Sequence, residues 1–355
     1  MTINRIILGF ISGCIFLAML ETPLLAAQPP KPLVSEDYFV KASDPGIQIF
    51  VRNKHLKGVK NFASDKIVLF VHGSTYPAET SFDLPLDGLS WMDYIAQRGF
   101  DVYLLDLRGY GRSTRPPEMD QPAEKNPPIT TTDVAVRDVA AVVDNILERR
   151  KVSKINLIGW SWGTKIMATY TSQNNAKVEK LVLYAAGWLR NKPTLVGGGD
   201  GPLGAYRTVT MSAAKARWLT GVPEDKKADL IPAGWFEQWA ATTQASDPKG
   251  AAQNPPILRA PNGTVQDNRD FWLKGKALYD PALIKVSVLI INAEWDVDTP
   301  PSEGNAIFEK LTNAPYRRRV LLSEGTHTII MEKNRMQLFR EVQLFLEEPT
   351  TAGPK

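Results

Sequence analysis

Short, continuous apolar runs recur along the chain, separated by segments whose apolar residues return at helical intervals. Such a run, bounded by turn residues, is typical of a strand covered on both faces. Helical spacing with a capping residue before it or a glycine after it predicts an amphipathic helix. The predicted strands are residues 66–71, 100–106, 155–158, 178–184, 287–292 and 319–323, and the predicted helices are 90–99, 133–147 and roughly 333–347. This alternation predicts an α/β fold with a mostly parallel sheet and helices on both faces.

The first part of the chain has a different pattern. Residues 28–36 are rich in proline and are predicted to be a flexible lead. Residues 38–42 and 46–52 predict a pair of strands around the turn Ser-Asp-Pro-Gly.

The alternation stops between about residues 187 and 280. This stretch has helix-like segments at 212–219 and 235–242, a Gly-Gly-Gly-Asp-Gly run and no convincing core strand. An insertion between two strands of a sheet forms a lid over the edge where sites assemble. We therefore predict a core of residues 28–186 and 281–355, with a mainly helical cap of residues 187–280 inserted after the sixth core strand.

The N-terminus has the layout of a secretory signal peptide. A start with one positive charge, MTINR, precedes fifteen uncharged residues, and small residues suited to cleavage follow near Ala26 and Ala27. We predict a cleaved signal peptide over residues 1–27 and a periplasmic or secreted mature protein. An uncleaved anchor and a lipoprotein attached through Cys14 are the alternatives.

Composition narrows the function classes. The chain has 355 residues, 43% of them apolar and 23% charged, with a formal net charge of +4, which is ordinary for a globular protein. Its two short basic clusters, at 148–151 and 317–319, predict solvated surface and no nucleic-acid partner. Cys14 is the only cysteine, so the mature chain would contain no disulfide and no thiolate metal site. No long apolar run follows the signal, which predicts no membrane span in the mature chain.

The clearest candidate for chemistry is a serine between two tryptophans. Residues 159–163 read Gly-Trp-Ser-Trp-Gly at the junction of a predicted strand and helix. They fit the G-x-S-x-G pattern, in which the serine occupies a sharp strand-to-helix turn with its hydroxyl exposed. A serine hydroxyl is a weak nucleophile at neutral pH, so Ser161 needs a base and the base needs an orienting partner.

The chain has three histidines that could be this base. His55 lies in a polar stretch, Asn-Lys-His-Leu-Lys, and is interpreted as a solvated loop residue. His72 ends a buried strand before Gly73 and is interpreted as a brace of that turn. His327 follows the last predicted strand, and loops at the carboxyl ends of parallel strands are where sites assemble, so we favour His327 as the base.

Three carboxylates compete for the role of orienting acid. Glu294, Asp296 and Asp298 all follow the strand at 287–292, and each could instead be a solvated or capping residue. Asp298 could cap the helix that begins near Pro301, and Glu294 could brace the loop. Spacing alone does not separate the three.

Four motifs in order resemble the α/β-hydrolase superfamily. They are VHGST at 71–75, DLRGYGRS at 106–113, GWSWG at 159–163, and INAEWDVDTP at 291–300 together with EGTH at 324–327. The order of the chemistry-bearing residues, Ser, Asp, His, is also that of the family. The resemblance covers residues 67–330, leaves only the cap unmatched, and implies an α/β-hydrolase fold.

The resemblance also implies roles for individual residues. Its acid pattern points to Asp296, although Ala293 stands near the position of the usual glycine. It implies an oxyanion hole from the backbone N–H groups of Trp162 and Ser74, with Thr75 as the competing position. Asp106 and Arg108 are expected to brace the edge of the sheet. No cofactor and no metal are expected.

These features predict a serine hydrolase that cleaves a carboxylic ester of a small to medium, apolar or aromatic small-molecule substrate. The alternative is an aminopeptidase or amidase of the proline-iminopeptidase type, for which Glu224, Asp225 and Glu237 of the cap could hold the substrate amine. A non-catalytic ligand-binding member of the fold is a third reading. Eight of the nine tryptophans lie in or beside the predicted site or cap, where some could line the pocket and others fill the core of the cap.

Overall fold

The computed structural model describes residues 31–196 and 201–349. The predicted signal peptide and Cys14 lie outside these residues. The strands are β1 (Leu33–Lys41), β2 (Gln48–Leu56), β3 (Ile67–Val71), β4 (Asp101–Leu105), β5 (Ile155–Trp160), β6 (Val178–Tyr184), β7 (Tyr206–Val209), β8 (Leu258–Pro261), β9 (Ser287–Ala293) and β10 (Arg317–Leu322).

The α-helices lie between and after these strands. They are α1 (Ala78–Phe82), α2 (Trp91–Ala96), α3 (Thr132–Arg150), α4 (Trp162–Gln173), α5 (Met211–Trp218), α6 (Lys227–Leu230), α7 (Trp235–Ala245), α8 (Pro248–Ala251), α9 (Gly263–Asp270), α10 (Pro301–Lys310) and α11 (Arg335–Glu347). Ser90 caps α2, since its hydroxyl accepts from the N–H of Asp93 and the Asp93 carboxylate accepts from the N–H of Ser90.

Eight strands form one sheet in the order β1-β2-β4-β3-β5-β6-β9-β10. Strand β2 is antiparallel to both of its neighbours, β1 and β4. The six strands β4, β3, β5, β6, β9 and β10 run parallel to one another. This is the mostly parallel sheet with flanking helices that the sequence predicted. Because the six strands run the same way, the loops after β3, β5, β9 and β10 meet at one edge.

The central strands β3, β4, β5, β6 and β9 are buried on both faces along their whole length, which explains why they read as apolar runs. In β3, Phe70 packs against Trp91 on one face, and Trp91 in turn stacks on Phe339 of α11. Leu69 belongs to the core of the opposite face, which also contains Ile166 of α4. Successive residues of one strand therefore supply two separate cores.

Two predictions near the N-terminus are wrong in part. The chain is already in β1 at Leu33, inside the stretch predicted to be a flexible lead, because β1 pairs with β2 from Leu33 opposite Leu56 to Lys41 opposite Gln48. His55 lies in β2 and not in a loop, with Nδ1 2.9 Å from the carbonyl oxygen of Leu56 and its ring against Phe62.

The segment between β6 and β9 contributes no strand to the main sheet, as predicted, and contains α5 to α9. It also contains a two-stranded antiparallel ribbon of β7 and β8 that the sequence analysis missed. Each of its strands has four residues, too few to show a period. Among the described residues, no helix is both long and apolar enough to cross a bilayer.

Candidate active site

Ser161 stands alone between the last residue of β5 and the first residue of α4, with φ 58° and ψ −121°. A non-glycine residue rarely adopts this conformation, which costs about 1–3 kcal/mol and persists only where the surroundings impose it. The surroundings here are tight. A Cβ on Gly159 would lie 2.4 Å from the carbonyl oxygen of Gly163, and one on Gly163 would lie 2.4 Å from that of Val71. The two glycines therefore permit the turn that holds the serine.

The loops after β9 and β10 bring Asp296 and His327 to this serine. His327 Nε2 lies 2.8 Å from Ser161 Oγ, and His327 Nδ1 lies 2.9 Å from Asp296 Oδ2. With the proton on Nδ1, the imidazole donates to Asp296 and accepts from the hydroxyl of Ser161. The structure thus joins the three residues selected from the sequence in one hydrogen-bonded chain.

Asp296 is itself held by donors from its own loop. Its Oδ1 accepts from the N–H groups of Asp298 at 2.9 Å and Thr299 at 2.8 Å. Its Oδ2 accepts from the hydroxyl of Thr299 at 2.7 Å. These bonds fix the direction in which the carboxylate faces His327.

Two opposing effects set the pKa of His327. Burial lowers this pKa, because the charged imidazolium loses solvation. The nearby negative charges of Asp296 and Asp298, with the hydrogen bond to Asp296, outweigh burial and raise the pKa of His327 above its ordinary value of 6.5.

The two competing carboxylates have other partners. Glu294 Oε2 accepts from the backbone N–H of Glu324 at 3.0 Å, so it braces the loop as suggested. Asp298 is buried and forms an ion pair with Arg217 of α5. Its predicted role as a helix cap is wrong, because Pro300 occupies the N-cap position of α10 and no side chain caps that helix.

The two predicted oxyanion donors lie beside Ser161. Within the described part of the chain, the backbone N–H groups of Ser74 and Trp162 donate no hydrogen bond. The carbonyl of Ser74 is engaged, since it accepts from Tyr110 Oη at 2.8 Å and from Arg207 Nη2 at 2.6 Å. The hydroxyl of the competing residue, Thr75, also accepts from Arg207, at 3.1 Å.

His72 supports the loop after β3 that contains Ser74. It is fully buried, its Nδ1 donates to the carbonyl of Gly73 at 2.7 Å, and its Nε2 accepts from the N–H of Leu107 at 3.1 Å. Burial lowers the pKa of His72 to about 4 and keeps it neutral. The prediction that it braces the turn agrees with this geometry.

Asp106 and Arg108 are structural, as expected. Asp106 accepts from the N–H groups of Ala78 at 2.8 Å and Arg112 at 2.9 Å. Arg108 forms a buried ion pair with Asp138 and a partly exposed one with Asp44, both at 2.5 Å. Neither residue faces Ser161 in these contacts.

Comparisons with known proteins agree with this fold. A family model described as the alpha/beta hydrolase fold matches residues 66–333, about three quarters of the chain. The chain belongs to the alpha/beta hydrolase family.

Solved structures of this family have a similar fold. A hydrolase from Pseudomonas aeruginosa PA01 is 19% identical with a TM-score of 0.59, over 88% of this chain and 98% of that one. An esterase from Exiguobacterium antarcticum is 17% identical with a TM-score of 0.55, over 88% and 100%. An enol-lactonase from Burkholderia xenovorans LB400 is 15% identical with a TM-score of 0.53, over 88% and 100%.

The cleft of this α/β hydrolase divides into two arms that share Ser74, Ser161, Arg217 and Asp298. What we call the apolar arm has the apolar side chains Tyr76, Trp160, Leu195, Ala214, Trp218 and Val297. What we call the cationic arm contains Lys165, Arg190 and Arg217, with Trp162, Thr194, Val196, Thr264, Asn268, Trp272 and Thr299.

Sequence reasoning missed the basic residues of this hydrolase's cleft. Arg190, Arg207 and Arg217 belong to the cap segment, which has no motif to align them. Lys165 did carry a signal, because it lies four residues after Ser161 on a helix that the sheet topology predicts to be buried. Residues 162–171 of α4 are indeed all buried.

Four tryptophans line the cleft, namely Trp160 and Trp218 in the apolar arm and Trp162 and Trp272 in the cationic arm. Trp239 instead packs in the cap against Trp218 and Phe236. Residues 31–196 and 201–349 contain no group of three histidine, cysteine or acidic side chains arranged to hold a metal ion.

Proposed function

We propose that this hydrolase cleaves carboxylic esters through an acyl-enzyme on Ser161. The observation that carries the proposal is the chain of hydrogen bonds from Ser161 Oγ through His327 to Asp296 beside an open cleft. In this hydrogen-bonded arrangement His327 activates Ser161, because the imidazole accepts the hydroxyl proton as the serine oxygen attacks.

In the acylation step, Ser161 Oγ attacks the ester carbonyl carbon and its proton moves to His327 Nε2. The tetrahedral intermediate collapses when the C–O bond to the alcohol breaks, and His327 gives its proton to the leaving oxygen. Water then attacks the acyl-enzyme by the same route and releases the acid and free Ser161. Asp296 keeps the imidazole in the productive tautomer and stabilises its charged form.

The negative oxygen of each tetrahedral intermediate needs donors. The N–H groups of Ser74 and Trp162 are suited to this role, since neither is engaged within the described part of the chain. A preorganised donor of this kind typically lowers the barrier by about 3–4 kcal/mol.

The aminopeptidase alternative finds less support. The acidic residues it would use, Glu224, Asp225 and Glu237, are exposed and lie outside both arms of the cleft. In the cationic arm three basic side chains stand against one carboxylate, an arrangement that disfavours a substrate ammonium group.

We also propose export, on the sequence pattern of residues 1–27 alone. N-terminal sequencing of the protein from a periplasmic fraction tests it. A mature start near Gln28 is expected, whereas an intact Met1 would contradict cleavage and a lipidated Cys14 would support the lipoprotein reading.

The ester proposal is tested with p-nitrophenyl acyl esters of graded chain length beside proline and alanine nitroanilides. Ester turnover should vanish in Ser161→Ala and persist in Ser172→Ala, a matched change in the same helix where the hydroxyl only donates to the carbonyl of Thr169. A fluorophosphonate should label Ser161 alone. Ester turnover that survives in Ser161→Ala, or anilide turnover without ester turnover, would contradict the proposal.

A further inference from the structure

Lys165 is a buried lysine without a partner. Lys165 is only 4% exposed, and its Nζ forms no hydrogen bond or ion pair with any described residue. Its Nζ makes a cation–π contact with the face of the Trp272 ring, 3.5 Å from the ring centroid. A buried cation is costly unless it is paired, so the position of this one needs an explanation.

Lys180 shows how this protein satisfies a buried lysine that has only a structural role. Its Nζ donates to the carbonyl oxygens of Phe345 at 2.9 Å, Leu346 at 3.0 Å and Glu348 at 2.5 Å. Lys165 has no such set of acceptors. It instead lines the cationic arm, which opens directly to Ser161.

The other basic side chains of the cationic arm have acidic partners, which leaves Lys165 as its unpaired basic group among the described residues. Arg217 is paired with Asp298, whereas Arg190 lies 3.6 Å from Glu303 Oε1 and donates to the carbonyl of Asp298 at 2.7 Å. Burial raises the pKa of Glu303 and lowers the pKa of Lys165 to about 7, so a bound carboxylate would favour the charged form of Lys165. Three basic side chains thus line the arm with a single carboxylate, that of Asp298.

A second polar group in the same arm also lacks a partner. The buried Oδ1 of Asn268 accepts no hydrogen bond within the described residues. Buried side-chain polar atoms are usually satisfied. An amide oxygen of this kind would be satisfied by a donor such as a water or a hydroxyl, so it makes the arm polar, whereas Lys165 Nζ is the group that would attract an anion.

We propose that the cationic arm binds a carboxylate of the substrate, so that the preferred substrates are esters that carry a free acid group. This inference rests on the proposed ester hydrolysis and narrows its substrate class. The carboxylate pairs with Lys165 Nζ, with Arg190 and Arg217 adding to the positive field, while an uncharged part of the substrate occupies the apolar arm. A charge-assisted bond to Lys165 is strong here because the lysine is largely buried.

Two substrate pairs test the proposal, each replacing a methyl group by a carboxylate. Monoethyl adipate is compared with ethyl hexanoate for an acid on the acyl side, and 4-acetoxybenzoate with 4-methylphenyl acetate for an acid on the alcohol side. We expect the wild type to prefer the carboxylate in at least one pair by about tenfold or more in kcat/KM. Lys165→Met should abolish that preference, because the carboxylate member should lose far more kcat/KM than the methyl member.

The matched control is Lys215→Met. Lys215 is exposed on α5, its Nζ lies 4.7 Å from the Phe236 ring centroid, and it lines neither arm. Removing it changes the net charge equally and should leave the preference intact. Equal losses for both members of a pair in Lys165→Met, or no preference in the wild type, would overturn the proposal.

A binding experiment separates this inference from the proposed function. Adipate should bind the Ser161→Ala protein in calorimetry and should bind Ser161→Ala/Lys165→Met at least about tenfold more weakly. Neutral esters turned over through Ser161, without Lys165-dependent adipate binding, would leave the ester proposal intact and refute the acid-binding arm. Adipate binding that depends on Lys165 in a protein that turns over no ester would support the arm and refute the ester proposal.

Discussion

The carboxylate of Asp298 lies 3.8 Å from Nε2 of His327, the imidazole nitrogen that faces the hydroxyl of Ser161. Asp296 meets the same ring at the opposite nitrogen, Nδ1. Asp298 is in turn paired with Arg217 of the cap helix α5. The cap therefore contributes directly to the charge around the proposed base.

Replacing Asp298 by Asn should move the pH dependence of ester hydrolysis. A base must be unprotonated, so kcat/KM should rise with pH as His327 loses its proton, with a midpoint above 6.5 in the wild type. Asp298→Asn removes a negative charge that raises the pKa of His327 and leaves the positive charge of Arg217 unbalanced. Both effects should shift the acid limb to lower pH, by roughly 1 unit.

The control for this shift is Glu294→Gln, which removes a carboxylate from the same loop. Glu294 contacts the backbone N–H of Glu324 and not the imidazole. Its acid limb should match that of the wild type. An unchanged or upward-shifted limb in Asp298→Asn would mean that Asp298 does not act on His327.

Arg207 of β7 should position the oxyanion loop from the cap. It donates to the carbonyl of Ser74 and the hydroxyl of Thr75. Arg207→Met should lower kcat by about 10- to 100-fold with a smaller change in KM. A misplaced oxyanion donor weakens stabilisation of the transition state more than it weakens binding of the substrate. The affinity for a boronic acid, which imitates the tetrahedral intermediate, should fall in parallel, and Arg207→Lys should restore part of both.

Arg259→Met is the matched control for Arg207→Met. Arg259 lies on the neighbouring strand β8, buried, and pairs with Asp247 and the carbonyl of Met119. Its loss should reduce stability without selective loss of boronate affinity. If both variants lose kcat and boronate affinity alike, Arg207 acts only through the folding of the cap.

The sheet could be predicted closely because burial on both faces leaves a simple record in the sequence. Residues 178–184 were predicted as a strand and form β6 with the same bounds. The turn at Ser161 was equally visible, since the glycines at 159 and 163 are required by backbone atoms that lie 2.4 Å from their would-be Cβ positions. In both places local sequence and tertiary packing impose the same requirement.

The contacts of the cap could not be predicted in this way. β7 pairs with β8 across some fifty residues, from Tyr206 opposite Pro261 to Val209 opposite Leu258, and neither strand has a period. Asp296 and Asp298 are two residues apart and both buried near His327, so spacing could not rank them. What separates them is the direction of the loop, set by N–H donors to Asp296 and by Arg217 reaching Asp298 from elsewhere in the chain.

His72 should make the protein less stable in mild acid. Its folded pKa of about 4 lies below the 6.5 of an unfolded histidine. Between these values the unfolded chain binds a proton that the folded protein excludes, so stability falls as pH falls from 6.5 towards 4. From about pH 7 to about pH 4.5 this linkage should cost roughly 2 kcal/mol.

Urea unfolding of the wild type and His72→Gln across this range measures the effect. Subtracting one profile from the other removes the titrations that both proteins share. The wild type should lose more unfolding free energy than His72→Gln towards low pH, although it is the more stable protein at neutral pH. Parallel profiles would show that His72 takes up its proton while folded.

The strain at Ser161 should be measurable with two inactive variants. Ser161→Ala and Ser161→Gly both lack the hydroxyl, but only glycine adopts φ 58° readily. Relief of about 1–3 kcal/mol of strain should exceed the roughly 0.5–1 kcal/mol that glycine costs through the unfolded chain. Ser161→Gly should therefore be more stable than Ser161→Ala, by about 1 kcal/mol. At Ser172, the last residue but one of α4, the same pair should have the opposite order, because glycine is the poorer helix former. If the alanine variant is more stable than the glycine variant at both positions, the backbone conformation at Ser161 is not strained.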